Sequence, residues 1–154
     1  MMFALAALTA AQVLIAAPLD AVGNSNREAI ARLGEPRSTG TDFLSSPRVE
    51  GATDRVITLD FAKTRVRFYE ASTETASQLL AVVTVDEKFP TRTGVHVGTD
   101  RGAVLRELGG PSYEDGDQII YVEPRAEDPA TADRVRLVID DDRVAGIEWT
   151  FGVK

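Results

Sequence analysis

The stretch Val104-Leu105-Arg106-Glu107-Leu108-Gly109-Gly110-Pro111 has an earlier counterpart in Ala29-Ile30-Ala31-Arg32-Leu33-Gly34-Glu35-Pro36. Each reads as the end of a short amphipathic helix. A leucine takes the last apolar position, a glycine is free to adopt the left-handed cap, and a proline soon after forbids continuation. Each helix also has a start signal. Ser25-Asn26-Arg27-Glu28 carries the spacing of a capping box, and Thr99-Asp100 supplies a cap with an acid in the first turn.

Outward from these two helices the chain repeats itself. Asp54-Arg55-Val56-Ile57-Thr58-Leu59 matches Asp117-Gln118-Ile119-Ile120-Tyr121-Val122, and Thr64-Arg65-Val66-Arg67-Phe68 matches Asp133-Arg134-Val135-Arg136-Leu137. Leu79 to Val85 runs against Arg143 to Trp149, with Val83 and Val85 on Ile147 and Trp149. These β-branched and aromatic runs alternate with period two, so each unit reads as a helix followed by three strands. The fold class is therefore α+β: two tandem helix-plus-three-strand units, about residues 24–86 and 95–154, forming one antiparallel sheet of about six strands with helices packed on one face. Arg37 to Thr53, rich in Ser, Thr and Gly, reads as a long mobile loop. Pro124 to Ala132 reads as a solvated hairpin extension.

Alternation assigns the faces. Ile57, Leu59, Phe61, Val66, Phe68, Val83 and Val85, with Ile120, Val122, Val135, Leu137, Ile139, Ile147, Trp149 and Phe151, are expected to meet Ile30, Leu33, Val104, Leu105 and Leu108 in the core. The opposite face is then expected to carry Thr58, Asp60, Arg65, Arg67, Tyr69, Thr84, Ile119, Tyr121, Arg134, Arg136, Glu148 and Thr150. Arginine supplies 14 of the 17 basic residues of the chain, and four of them fall on this face beside two tyrosines. Arg and Tyr dominate binding hot spots because they offer large planar area at low ordering cost. Arg65, Arg67, Tyr69, Tyr121, Arg134, Arg136 and Glu148 are accordingly the candidate binding residues. A solvated strand face whose charges pair across with Asp60 or Glu148 is the plainer alternative.

The 154 residues are one domain's worth, enough to bury a core without disulfides or metal. There is no cysteine, which excludes disulfide frameworks, zinc-thiolate and iron–sulfur sites, thiol nucleophiles and lipid attachment through Cys. A net charge of −7 argues against nucleic acid or an anionic membrane as partner. Met1 to Leu19 carries no charged side chain and reads as a secretory signal segment, with Ala16, Ala17 and Pro18 near its end; a permanent anchor and a buried N-terminal helix are the other readings of the same run. On the signal reading residues 20–154 form a single periplasmic or secreted domain with no integral membrane span.

No residue cluster points to catalysis, and no cofactor or metal is implied. His96 is the only histidine and lies in no hydrolase or metalloprotease motif. It reads as a surface or hydrogen-bonded residue. Asp140-Asp141-Asp142 lacks the glycine a calcium loop requires and reads as a hairpin turn. Glu114-Asp115-Gly116-Asp117 has the same explanation.

One resemblance rests on these motifs. Val97-Gly98 through Val104 to Leu108-Gly109-Gly110-Pro111, then the Ile119-Ile120-Tyr121 strand and the strand pair around Asp141-Asp142-Arg143-Val144, resembles the SmpA/OmlA (BamE-like) family of outer-membrane assembly lipoproteins. The duplicated plan is similar to the β-lactamase-inhibitor-protein fold. The resemblance covers residues 97–154, and residues 25–85 join it through the internal repeat. It implies an exported, non-enzymatic protein that contacts another envelope protein. An inhibitor of an envelope or secreted enzyme is the alternative, and a small hydrolase built around His96 a more distant one.

Overall fold

Short capped helices and one wide sheet organise the chain. The computed structural model describes residues 8–72, 77–124, 128 and 131–153. Along it run α1 (Ala10–Ala21), α2 (Asn26–Leu33), β1 (Ser38–Ser45), β2 (Thr53–Asp60), β3 (Thr64–Glu70) and β4 (Ser77–Thr84). After these come α3 (Arg101–Leu108), β5 (Tyr113–Asp115), β6 (Gln118–Val122), β7 (Arg134–Asp140) and β8 (Arg143–Thr150). The caps of α2 and α3 form where the sequence puts them. The Ser25 hydroxyl accepts from the Glu28 amide at 3.1 Å, and an Asp100 carboxylate oxygen accepts from the Ala103 amide at 2.8 Å. Gly34 and Gly109 close the helices at φ 89° and 80°. Of the capping box at Ser25 only the hydroxyl half is built, because the Glu28 carboxylate reaches the Asn24 amide instead.

All eight strands join one antiparallel sheet in the order β1-β2-β3-β4-β8-β7-β6-β5, so two four-strand meanders meet at their last strands. This corrects the expected six strands. The segment Arg37 to Thr53, read as a loop, contains β1, and Tyr113–Asp115 forms the short β5. Both are edge strands with every residue exposed, so neither shows the buried alternation by which strands are recognised. Of the expected hairpin extension between Pro124 and Ala132, residues 125–127, 129 and 130 lie outside the described residues.

Register defines a core face of two rows. Leu59, Val66, Val82, Trp149, Val135 and Tyr121 lie opposite one another across five strands pairs in turn, and each is at most 3% exposed. Beside them run Thr64, Thr84, Ile147, Leu137 and Ile119. The apolar members of both rows share one buried cluster with Leu14 and Ile15 of α1, Ala29 of α2, and Val104 and Leu108 of α3.

The phases assigned to β4 and β6 are corrected here. Val83 and Val85, expected in the core, are 41% and 55% exposed, while Val82 and Thr84 are buried. The cause is a bulge: Arg67 faces Ala81 but Phe68 faces Leu79, so Leu80 is an extra residue and the alternation slips by one. A second bulge inserts Ala145 in β8 between the Val138–Gly146 and Ile139–Val144 pairs. Thr84 is tolerated on the core face because its hydroxyl meets that of Thr64 at 2.8 Å and accepts from the Asp86 amide. Ile119 and Tyr121, expected outside, also face the core, and Ile120 takes the opposite face. Ile119-Ile120-Tyr121-Val122 is apolar at consecutive positions, so its sequence cannot choose a phase.

Ala10–Ala21 of the N-terminal run form α1. A reciprocal capping box between Thr9 and Gln12 starts it. Leu14, Ile15, Ala17 and Pro18 are buried. Pro18 lacks the N–H that would bond the Leu14 carbonyl four residues back. That carbonyl instead accepts from the indole Nε1–H of Trp149 at 2.9 Å. The last carbonyls of α1, at Leu19 and Asp20, accept from the Arg32 guanidinium of α2, and Arg92 pairs with the Asp20 carboxylate. No described helix is long and apolar enough to cross a membrane.

A mutant cycle tests the proline–indole relation. Trp149→Phe strands the Leu14 carbonyl, at a cost of about 1–3 kcal/mol on top of lost packing. Pro18→Ala restores the helical N–H, so the indole bond is worth less in its presence. Urea unfolding of the four proteins should give a coupling of about 1 kcal/mol; strict additivity would contradict it.

Candidate functional site

The face opposite the core is also built of two cross-strand rows. One runs Asp60, Arg65, Val83, Glu148, Arg136 and Ile120; the other runs Thr58, Arg67, Ala81, Thr150, Arg134 and Val122. The strands place them there by alternation with Leu59, Val66, Val82, Trp149 and Val135 behind them. These rows hold four arginines against two acids, in a chain whose net charge is −7. By register Asp42 and Asp54 stand on the same face beyond these rows, so the arginines form a central cluster flanked by acids.

The four arginines are not equivalent. Arg65 is held by Asp60, directly opposite, with Nε at 3.1 Å from the carboxylate. Arg136 lies opposite Glu148 on one side and Ile120 on the other, without a salt bridge to a described residue. Arg67 faces only Thr58 and Ala81 and makes no ion pair with a described residue. Exposed strand charges with no fixed partner keep their donors for a ligand. A guanidinium can give a carboxylate two parallel hydrogen bonds.

Tyr69 belongs to this face, opposite Val56, but its hydroxyl is already engaged. It donates to a carboxylate oxygen of Asp54, two residues along β2 from Val56, and the other oxygen accepts from the Ser72 amide at 3.0 Å. The ring therefore spans β2 toward its first residues, beside Val56, which is only 7% exposed. Asp54 was missed as a site residue. Its signal was its phase, shared with Thr58 and Asp60. Tyr121 is corrected from site residue to structural residue: it is 3% exposed, and its hydroxyl donates to the Gly109 carbonyl at 2.8 Å, tying the end of α3 to the sheet. Burial pushes its phenol above the ordinary tyrosine range, with Glu114 adding to the effect. The structure therefore brings Arg65, Arg67, Tyr69, Arg134, Arg136 and Glu148 to one face and leaves Tyr121 out.

The remaining candidate chemistry is dispersed. His96 is exposed, with its Nδ1 2.8 Å from the Val97 carbonyl. Asp141 and Asp142 form the turn between β7 and β8 at φ 50° and 60°, left-handed positions that Asp tolerates. Among the described residues no group of three or more His, Asp or Glu side chains could hold a metal ion. A cavity of about 360 Å³ opens beside Tyr69, Arg48, Asn24 and Gln78, and one of about 690 Å³ lies between Leu33, Phe61, Lys63, Val85 and Phe89. Compared with known protein families, with characterised proteins and with solved structures, the chain matches none of them.

The Tyr69–Asp54 bond gives a pH signature. The Tyr69 hydroxyl first, and the Ser72 amide next, hold the Asp54 carboxyl below the usual carboxylate range. The same bond, with burial, pushes the Tyr69 phenol above its ordinary value of 10.0. A lowered carboxylate pKa stabilises the fold above its unfolded value of 3.8, and that contribution is lost as pH falls through the folded pKa. A raised phenol pKa stabilises below 10.0 and is lost as pH rises through the folded pKa. The stability advantage of the native protein over Tyr69→Phe should therefore be greatest near neutrality and shrink at both extremes. Thermal melts of the two proteins across pH check this, and a difference independent of pH would rule the coupling out.

Proposed function

We propose that this protein is a non-enzymatic binding module of the cell envelope, which uses the arginine-bearing sheet face to hold another envelope protein through an acidic surface or an extended acidic peptide. The observation that carries the reading is the pair of cross-strand rows holding Arg67 and Arg136, exposed or half-buried and without an ion-pair partner among the described residues. Complementary charge on the partner would steer association and fix register, while the flat strand face supplies contact area. The envelope compartment rests on the resemblance of residues 97–154 to the SmpA/OmlA family.

The reading includes a duplicated plan, with helices on one side of the sheet. The two bulges support it, since each falls in the fourth strand of its meander and sets two core residues three apart: Leu79 and Val82 in one, Val144 and Ile147 in the other. Matching side-chain caps at Ser25 and Asp100 and matching glycine ends at Gly34 and Gly109 support it further. The burial of α1 makes residues 10–21 part of the mature domain on this proposal. The mass of the mature N-terminus tests that: a chain beginning before Thr9 keeps α1, and one beginning near Asp20 would have lost it.

Arg67→Glu combined with Arg136→Glu should leave the protein folded, costing within about 0.5 kcal/mol at exposed Arg67 and about 1 kcal/mol at half-buried Arg136, where the new carboxylate faces Glu148, and abolish capture of the partner in pulldowns from the envelope fraction. Undiminished capture by the folded double variant would overturn the proposal.

A further inference from the structure

The two edges of the sheet are unlike. At one end β5 is three residues long and carries Glu114 and Asp115. A short, charged edge of this kind resists added strands. At the other end β1, Ser38-Thr39-Gly40-Thr41-Asp42-Phe43-Leu44-Ser45, is eight residues long, exposed throughout, and has one charge, no proline and no lysine.

The β1–β2 ladder fixes which backbone groups are free. Register runs unbroken from Ser45 opposite Thr53 to Ser38 opposite Asp60, and the Ser46 amide donates to the Ala52 carbonyl at 2.9 Å. Ser38, Gly40, Asp42 and Leu44 therefore bond to β2. Thr39, Thr41, Phe43 and Ser45 turn their N–H and C=O groups toward the open edge. Phe43 is 70% exposed and Leu44 36%, and as strand neighbours they point to opposite faces. A surface docking on either face would cover one of them. A strand laid along the edge flanks both.

We propose that β1 is a self-association edge, on which a second copy of this chain lays its own β1 antiparallel about a two-fold axis through Thr41. In that register Thr41 faces Thr41, Thr39 faces Phe43 of the second copy, and Asp42 faces Gly40. Thr–Thr and aromatic–β-branched pairs are favourable cross-strand neighbours. Centring one step further, on Asp42, would set two carboxylates directly against each other, so charge selects the Thr41 register. The ends agree. Glu35 precedes the strand and Arg48 follows it, both exposed and neither in an ion pair with a described residue. Antiparallel pairing brings Glu35 of each copy alongside Arg48 of the other. The association is isologous and closes at two copies, because each chain offers one such edge. It leaves the arginine rows accessible and does not depend on their function.

The absence of cysteine from the chain makes the test direct. Hydrogen-bonded antiparallel neighbours have Cα atoms about 5.5 Å apart, within disulfide reach. Under mild oxidation Thr41→Cys should become a disulfide-linked dimer, with Glu114→Cys on the β5 edge staying monomeric. In sedimentation velocity over a micromolar series, the native chain should pass from monomer to dimer. Thr41→Pro removes only an N–H that points away from β2, and Thr41→Lys sets two like charges across the axis, so both should remain monomeric with an unchanged circular dichroism spectrum. A native chain monomeric throughout the series overturns the proposal. So does a dimer that survives both substitutions, or equal crosslinking at the two edges.

Discussion

A single buried hydrogen bond, from the Trp149 indole to the Leu14 carbonyl, joins the two ends of the chain and fixes the rest of the core around it. Its origin is a helix defect. Pro18 sits inside α1 and deprives Leu14 of its helical donor. A buried carbonyl left without a partner costs about 1–3 kcal/mol, and the one tryptophan of the chain supplies the missing N–H. Trp149 is also the middle of the core-face row between Val82 and Val135, and its ring lies 5.3 Å from that of Phe89. The same side chain thus positions α1, the junction of β4 with β8, and the segment that leads to α3.

That junction is what gives the opposite face its character. Because β4 and β8 are the last strands of two meanders, the arginines of β3 and β7 stand on either side of the same central pair. The bulges at Leu80 and Ala145 matter here as well. Without the one-residue slip in β4, Val83 would point into the core and Val82 outward, and the row that now links Arg65 to Glu148 and Arg136 would be broken. Packing on one face therefore decides the charge pattern on the other. Tyr69 shows the opposite economy, since its hydroxyl is held by Asp54 and serves the fold at the border of the same face.

How much of this was legible follows from where side chains are buried. The ends of α2 and α3 were readable because caps are local chemistry: a hydroxyl or carboxylate, three residues, then a glycine and a proline. Val66, Phe68, Val135 and Leu137 were readable because β3 and β7 alternate strictly against arginine. The phase of β6 was not, because adjacent isoleucines leave the choice to tertiary contacts. The phase of β4 was lost to a bulge, which no residue type announces. β1 escaped notice because an exposed edge strand needs no buried partner residues. Of the site, the four arginines were placed by alternation alone. Tyr121 was misplaced by the same one-residue ambiguity as Ile119, and the phase of Asp54 put it on the face without showing that Tyr69 reaches it.

Trp149 docks α1 on the sheet through its bond to the Leu14 carbonyl. Exchange of the single indole N–H with deuterium, followed as one resonance by nuclear magnetic resonance, reads that bond directly. Protection of the indole N–H should equal that of the most protected amides of β7 and β8, so that the proton is released only on global unfolding. Exchange on the timescale of exposed loop amides, with the sheet amides still protected, would contradict it.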